Sequence, residues 1–318
     1  MKILITGANG FLGSHLVEKS LSKGHDTIAL VRKDSDQSNL NHLQGFQAIP
    51  VDYSSVDSIK STLNNLPGFD LVIHNAGMVK SYTFSGYKKV NIELTEKLLK
   101  ALEECIHFND QLKFAYISSL AAIGPVGHNG PASNYGRSKQ IAEGIVRKSR
   151  LKYLIFRPTG IYGSRDVQFV PLIKAAKLGI YPSMTPKHHK MTLINASDVA
   201  ENVIDCSIRH GNEIIHLEDG NVYEHHHLKA TLEKILSKKT LDVRVSGPIV
   251  KSILFLSDFV DKILGKTPKL SREHYSEISQ NWDYDFSEER NRIPLKIHYS
   301  LEKGFREALE YYQANNLI

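Results

Sequence analysis

Apolar and polar positions along this chain follow two periods in turn. Short apolar runs rich in β-branched and aromatic residues read as strands: KILIT (2–6), DTIALV (26–31), FQAIPV (46–51), DLVIH (70–74), KFAYIS (113–118) and YLIFR (153–157). Between them, apolar residues return every three or four positions, predicting amphipathic helices that begin near Phe11, Ser55, Tyr87 and Asn134. Strand and helix alternating in this way predict an α/β protein, a doubly wound parallel sheet with right-handed crossovers and helices on both faces.

After Arg157 the pattern loosens, and Pro158, Pro171, Pro182 and Pro186 punctuate loops. Helices are predicted from Ser197, from near Glu224, from Pro248 and from about Leu301. The chain therefore divides into a unit at 1–165 and a smaller C-terminal part at 166–318, with segments near 191–217 rejoining the sheet. Residues 248–264 are rich in Ile, Leu, Phe and Val but hold only Lys251 and Lys262 as cations, so they are expected to pack against the substrate site rather than lie on a membrane.

Composition narrows the partners. With 318 residues, 41% of them hydrophobic and 23% charged, the chain can bury a full core. The net charge of +6 is spread without a long run of Lys or Arg, which argues against a nucleic-acid partner and for a small molecule that carries phosphate. Met1 leads directly into the first strand without the layout of a signal peptide, and no window approaches the roughly 20 apolar residues of a membrane span. A cytoplasmic location is the expectation. Cys105 and Cys206 fall in helical segments without C-x-x-C spacing and read as buried, reduced thiols.

Two motifs carry chemistry. The stretch TGANGFLGSH lies between the first strand and the first helix, where a phosphate loop belongs. Gly7 suits a tight turn, Gly10 a close approach of backbone N–H groups to pyrophosphate, and Gly13 close packing of helix on strand; Asn9, Phe11 and Leu12 complete the loop. In NYGRSK, Tyr135 and Lys139 share one helix face. A lysine there is expected to favour the phenolate and lower the phenol pKa. Y-x-x-x-K arises on many helices by chance, but not often at this distance behind a glycine loop.

The spacing T-G-x-x-G-x-x-G, joined to Tyr135 and Lys139, resembles the extended short-chain dehydrogenase/reductase superfamily: epimerase/dehydratase-like enzymes and the branch of hydroxysteroid dehydrogenases and dihydroflavonol reductases. The resemblance implies an NAD(P)-binding Rossmann domain followed by a substrate-binding part. It implies Tyr135 as acid/base while hydride moves to or from nicotinamide C4, and a serine hydroxyl on the reacting oxygen: Ser119, with Ser118 its neighbouring alternative. Asn91, in V-N-x-x-x-T, is implied to interrupt its helix or hold a relay water, against the plain reading of a solvent-facing helical Asn. Ala76 and Gly77 are implied to line the cofactor, with His74 and Asn75 structural. Pro158 and Thr159, in FRPTGIYGSRD, would face the nicotinamide side, and Asp52 the adenine amino group. Relatives often dimerise through the tyrosine-bearing helix, which makes a homodimer the expectation.

Cofactor and substrate follow from departures. Val31 stands where an NAD enzyme places a carboxylate and Arg32 follows, favouring NADP; NAD remains the alternative, since Arg32 can simply stack on adenine, and Asp34 and Asp36 come too late. Met191 and Thr192 replace an Arg-Asp pair common in nucleotide-sugar enzymes, though Lys187, Lys190 or Arg165 could bind phosphate instead. A ketone reductase or secondary-alcohol dehydrogenase leads, and an epimerase or dehydratase with tightly held NAD is the alternative. Tyr135 and Lys139 argue against a non-catalytic dinucleotide sensor. No metal is expected: His188–His189 and His225–His227 read as solvated or capping residues, because consecutive helical histidines diverge.

Overall fold

The computed structural model describes residues 1–183, 189–250, 252, 254–255 and 272–318. Seven strands form one parallel sheet: β1 (Lys2–Thr6), β2 (Asp26–Arg32), β3 (Phe46–Val51), β4 (Leu71–His74), β5 (Lys113–Ile117), β6 (Lys152–Pro158) and β10 (Glu213–Leu217), in the order β10-β6-β5-β4-β1-β2-β3. The chain winds one way from β1 to β3 and the other way from β4 to β10. The C-terminal edge between β1 and β4 is therefore a topological switch point, where open sheets of this kind bind ligands.

Both faces of the sheet's centre are covered, and for that reason β1, β4 and β5 are largely apolar rather than alternating, whereas the edge strand β3 is only partly buried. On one face α1 (Phe11–Ser22) and α7 (Ala196–Arg209) bury Leu12, Leu16, Val17, Val199, Val203 and Ile204. On the other, α2 (Val56–Asn64), α4 (Leu94–Glu104) and α5 (Asn134–Val146) bury Ile59, Leu63, Leu98, Leu102, Ala142 and Val146. Each such side chain contributes roughly 1.5–3 kcal/mol on leaving water. A third core lies in the C-terminal half, where α6 (Val170–Lys177), α8 (His225–Leu236) and the helix Leu301–Ala314 close on Ile173, Leu228, Leu232, Phe305 and Tyr312.

The rejoining segment divides. Glu213–Leu217 adds the outermost strand beside β6, but Lys190–Asn195 (β9) does not join the large sheet. It sits between β7 (Gly160–Tyr162), its parallel neighbour, and β11 (Val222–Glu224), which is antiparallel to it. Pro158 and the short β7 lead the chain out over the sheet edge before β9 can pair there. Most of the predicted helix at 248–264 lies outside the described residues. No described helix is long and apolar enough to cross a membrane.

Candidate active site

The glycine loop comes first in the chain and sits at the switch point. Gly7 has φ +63°, and a Cβ on it would stand 2.8 Å from the backbone of Ala76, so the turns after β1 and β4 touch. A Cβ on Gly13 would stand 2.0 Å from the Gly7 carbonyl oxygen, which is how closely α1 sits on the loop. Gly10 donates its N–H back to that oxygen at 3.1 Å. No side chain caps α1, so the first-turn N–H groups of Phe11, Leu12 and Gly13 are offered at the sheet edge, an anion site of helix-dipole and backbone origin. Asn9 ties the loop to the turn after β2, donating from Nδ2 to the Asp36 carbonyl (2.6 Å) and accepting from Asn39 Nδ2 (3.1 Å). Arg32 ends β2 exposed, close enough for its charge to act on the Tyr53 phenol. Asp52 lies on the surface and directs its carboxylate to Ser54 N, Ser54 Oγ and Ser58 Oγ (2.8–3.1 Å), bonds that hold its pKa below the usual range.

The opposite wall is α5, whose N-cap Ser133 accepts from Gly136 N. Tyr135 and Lys139 rise from it one turn apart. Lys139 is buried: its Nζ donates to the Ile117 carbonyl (2.8 Å) and lies 4.9 Å from the Tyr116 ring centroid. Burial pulls its pKa down to about 8. A Cβ on Gly77 would stand 3.2 Å from that Nζ and 3.4 Å from Asn91 Oδ1, so three predicted residues converge closely there.

Asn91 is not solvent-facing. It is buried in a π-helical stretch, Lys88–Glu93, between the short α3 (Phe84–Tyr87) and α4, so the helix is interrupted where it stands. Its amide accepts from Met78 N (2.7 Å) and donates to Met78 O (2.9 Å) and Ser138 Oγ (2.8 Å), which fastens the turn after β4 to α5. His74, behind it, is buried between Thr6 Oγ1 (2.7 Å) and Thr95 Oγ1 (3.0 Å), and Ala76 N donates to that same Thr6 hydroxyl.

Strand alternation separates the two serines. Ser118 Oγ donates inward to Glu143 Oε1 (2.5 Å), whose carboxylate also receives both arms of Arg157 (3.0 and 2.6 Å). Ser119 faces the cleft: its Oγ accepts from Ala121 N (3.2 Å), and it is the hydrogen-bonding partner that draws the Tyr135 phenol pKa down.

That pull is outweighed. Burial, with the Glu277 carboxylate beside it, pushes the Tyr135 phenol well above its ordinary range, contrary to the lowering expected from Lys139. The lysine ammonium is turned to a carbonyl oxygen and a ring face instead. Glu273 and Glu277 belong to α9 (Arg272–Ile278), which the sequence reading missed. Glu273 accepts from the Asn134 and Tyr135 backbone N–H groups at the start of α5, and Glu277, bonded to Ser133, is raised by burial to about 7. Their spacing in REHYSE, four apart on one helix face, was the available signal.

On the far side, Pro158 closes β6, and Thr159 donates its N–H to the Leu217 carbonyl (3.0 Å). The Thr159 hydroxyl is buried without a hydrogen-bond partner among the described residues. Arg165 turns away, pairing with Glu18 and with His15 Nδ1 (3.0 Å) on α1, and Lys190 pairs with Asp283 (3.2 Å). Met191 packs into the C-terminal core, Thr192 Oγ1 donates to the Trp282 carbonyl (3.0 Å), and Lys187 and His188 lie outside the described residues. His227 Nδ1 accepts from Glu224 N (3.0 Å) to cap α8, while His226 is exposed. No metal-sized group of His, Cys, Asp or Glu occurs among the described residues.

A dinucleotide fits this arrangement. Uncapped N–H groups wait at the switch point, glycines at 7 and 13 hold space that a Cβ would fill, and the buried Thr159 hydroxyl lacks a partner among the described residues. Fold and site together define a dinucleotide-dependent enzyme of the extended short-chain dehydrogenase/reductase class. Residues 3–222 match the model of the NAD dependent epimerase/dehydratase family, and the chain belongs to that family. It is 29% identical to a ceramide reductase of Caulobacter vibrioides over 64% of this chain and 59% of that protein. It is 26% identical to a UDP-glucose 4-epimerase of Vibrio cholerae over 99% of this chain and 96% of that one. The crystal structure of a UDP-glucuronic acid 4-epimerase from Bacillus cereus in complex with NAD superposes with TM-score 0.76 at 20% identity, covering 99% of both chains.

Proposed function

We propose that the enzyme is an NADP(H)-preferring reductase of ketones, reversibly a secondary-alcohol dehydrogenase, whose substrate is apolar or lipid-like rather than a nucleotide sugar. The fate of the cations among the described residues carries this reading. A sugar nucleotide brings a diphosphate that needs cationic partners. Here Arg165 is taken up by Glu18 and His15, Lys190 pairs with Asp283, and Met191 and Thr192 serve packing and a backbone contact. The partial match to a ceramide reductase points the same way.

Gly7, Asn9, Gly10, Phe11, Leu12 and Gly13 would hold the pyrophosphate, Arg32 the 2'-phosphate, Asp52 the adenine side, and Ala76, Gly77, Lys139, Pro158 and Thr159 the nicotinamide half. Bound there, the dinucleotide supplies the hydride. Tyr135 gives its phenolic proton to the carbonyl oxygen of the substrate as that oxygen becomes an alcohol, and takes it back in the reverse direction. Ser119 accepts from Ala121 N and is the hydrogen-bonding partner of the Tyr135 phenol; with a substrate carbonyl between them, its O–H would donate to the developing oxyanion. Because burial and Glu277 keep Tyr135 protonated, it begins as a proton donor, which suits reduction.

The test is a screen of ketones of increasing chain length with NADPH and NADH, beside mass spectrometry of any ligand carried through purification. NADPH oxidation by lipid-like ketones is expected, with NADH slower, and Arg32→Ala should weaken NADPH about tenfold while leaving NADH unchanged. Co-purified NAD with interconversion of UDP-sugars and no net redox change would overturn the proposal.

A further inference from the structure

Lysines that look scattered in sequence gather around an apolar surface in the C-terminal part. Strand β8 (Ile180–Ser183) pairs in parallel with β12 (Leu241–Arg244), Leu241 opposite Ile180 and Val243 opposite Pro182. Paired residues point to the same face; on β8 Tyr181 and Ser183 point inward, while all four residues of β12, Asp242 and Arg244 included, are exposed. The outer face therefore shows Ile180, Pro182, Leu241 and Val243, with Leu178 just before it. Leu178 is 78% exposed, Leu241 70%, Ile180 42% and Val243 38%. A contiguous apolar patch of this kind marks an interaction site.

Its rim is cationic. Lys177 and Lys238 meet there, Lys238 Nζ donating to the Lys177 carbonyl (2.6 Å), and the Lys239 side chain is 93% exposed. Beside the face opens a concavity of about 340 Å³ lined by Ala230, Glu233, Lys234, Ser237, Lys238 and Lys239. Acids lie among the lysines: Glu233 bonds Thr240 and Lys239, Glu302 pairs with Lys234 (2.6 Å) and Asp242 with Arg244, while Lys177 and Lys238 pair with no acid among the described residues.

We propose that this face docks the enzyme on an anionic lipid bilayer, its four aliphatic side chains entering the headgroup boundary and its lysines lying among the lipid phosphates. A second copy of the chain fits poorly, because a two-fold contact through this face would set lysine rim against lysine rim. Position adds to the argument. Val245, just past β12, donates its N–H to the Ser183 carbonyl (3.0 Å) and packs against the cluster of Val250, Leu254 and Tyr275, the last lying between Glu273 and Glu277. The docking face thus connects to α5 through a backbone hydrogen bond, this cluster and the Glu273 contact at the start of α5. The inference does not rest on the substrate proposed above, since vesicle binding is read without turnover.

The test is co-sedimentation of the full chain, with NADPH present, on vesicles of equal parts phosphatidylcholine and phosphatidylglycerol, against pure phosphatidylcholine. Pelleting with the anionic vesicles only, weakened by salt, is expected. Lys238→Ala with Lys239→Ala should weaken it about fivefold per lysine. Leu178→Glu with Leu241→Glu should abolish it while NADPH binding persists, and the milder Leu178→Ser with Leu241→Ser should weaken it in the same direction. Wild type that stays in solution, leucine variants that pellet like wild type, or a dimer that these substitutions dissociate would each overturn the proposal.

Discussion

Adjacent residues in this site have opposite destinations. Ser118 and Ser119 are chemically identical, and sequence could not choose between them within one residue of register; the pleat sends the first to Glu143 and the second to the cleft. Tyr135 and Lys139 were legible because one short motif on one helix carries both. Glu277 was not, because its place beside Tyr135 is made by tertiary packing of a distant helix. Its charge disfavours the phenolate, so Glu277→Gln should lower the Tyr135 pKa and move the rise of alcohol oxidation to lower pH. The difference should appear only above pH of about 7, where Glu277 is ionised, and vanish below it. Coincident pH–rate profiles for variant and wild type would remove Glu277 from this role. Tyr135→Phe, the reference, should lose about 10²–10⁴-fold in rate and keep cofactor binding.

The six strands read from the sequence lie within one residue of their observed ends, because their buried centres are apolar and turns bound them. Legibility failed where tertiary contacts decide. The π-helical stretch at Lys88–Glu93 keeps an ordinary amphipathic pattern, and what interrupts it is the Asn91 amide bonding the Met78 backbone across the cleft. Lys190–Asn195 looks like a sheet strand but pairs with β7 and β11. The contact between α1 and the glycine loop offers a matched test between two helical glycines. Gly13→Ala places a methyl 2.0 Å from the Gly7 oxygen and should cost about 1–3 kcal/mol and weaken cofactor binding. Gly144→Ala on α5 meets open space and should gain roughly 0.5–1 kcal/mol. Thermal melts and cofactor titrations read both, and equal behaviour of the pair would deny the close fit.

At the scale of the whole molecule, buried ionisable groups set how stability follows pH, and they act in opposite directions. His74 and His15 are held by burial to about 3 and about 4, so below their ordinary 6.5 the unfolded chain takes protons that the folded chain refuses, and stability falls as pH falls. Glu277 and Asp166 are raised by burial to about 7 and about 6; they are protonated in the folded chain while still ionised in the unfolded one, and stability rises as pH falls toward their ordinary values. Between pH of about 4.5 and 6.5 the two sets offset each other, so the wild-type curve alone hides both. His74→Gln separates them. At pH of about 7.5 the variant should be the less stable, having lost the fit between Thr6 and Thr95. Below 6.5 it no longer carries the acid penalty of a buried imidazole, so its deficit should shrink by up to about 1.4 kcal/mol per pH unit. Denaturant unfolding of both proteins across that window measures the gap directly. A gap that stays constant would mean that His74 accepts its proton in the folded chain near the ordinary pKa, and that burial between the two threonines does not exclude charge.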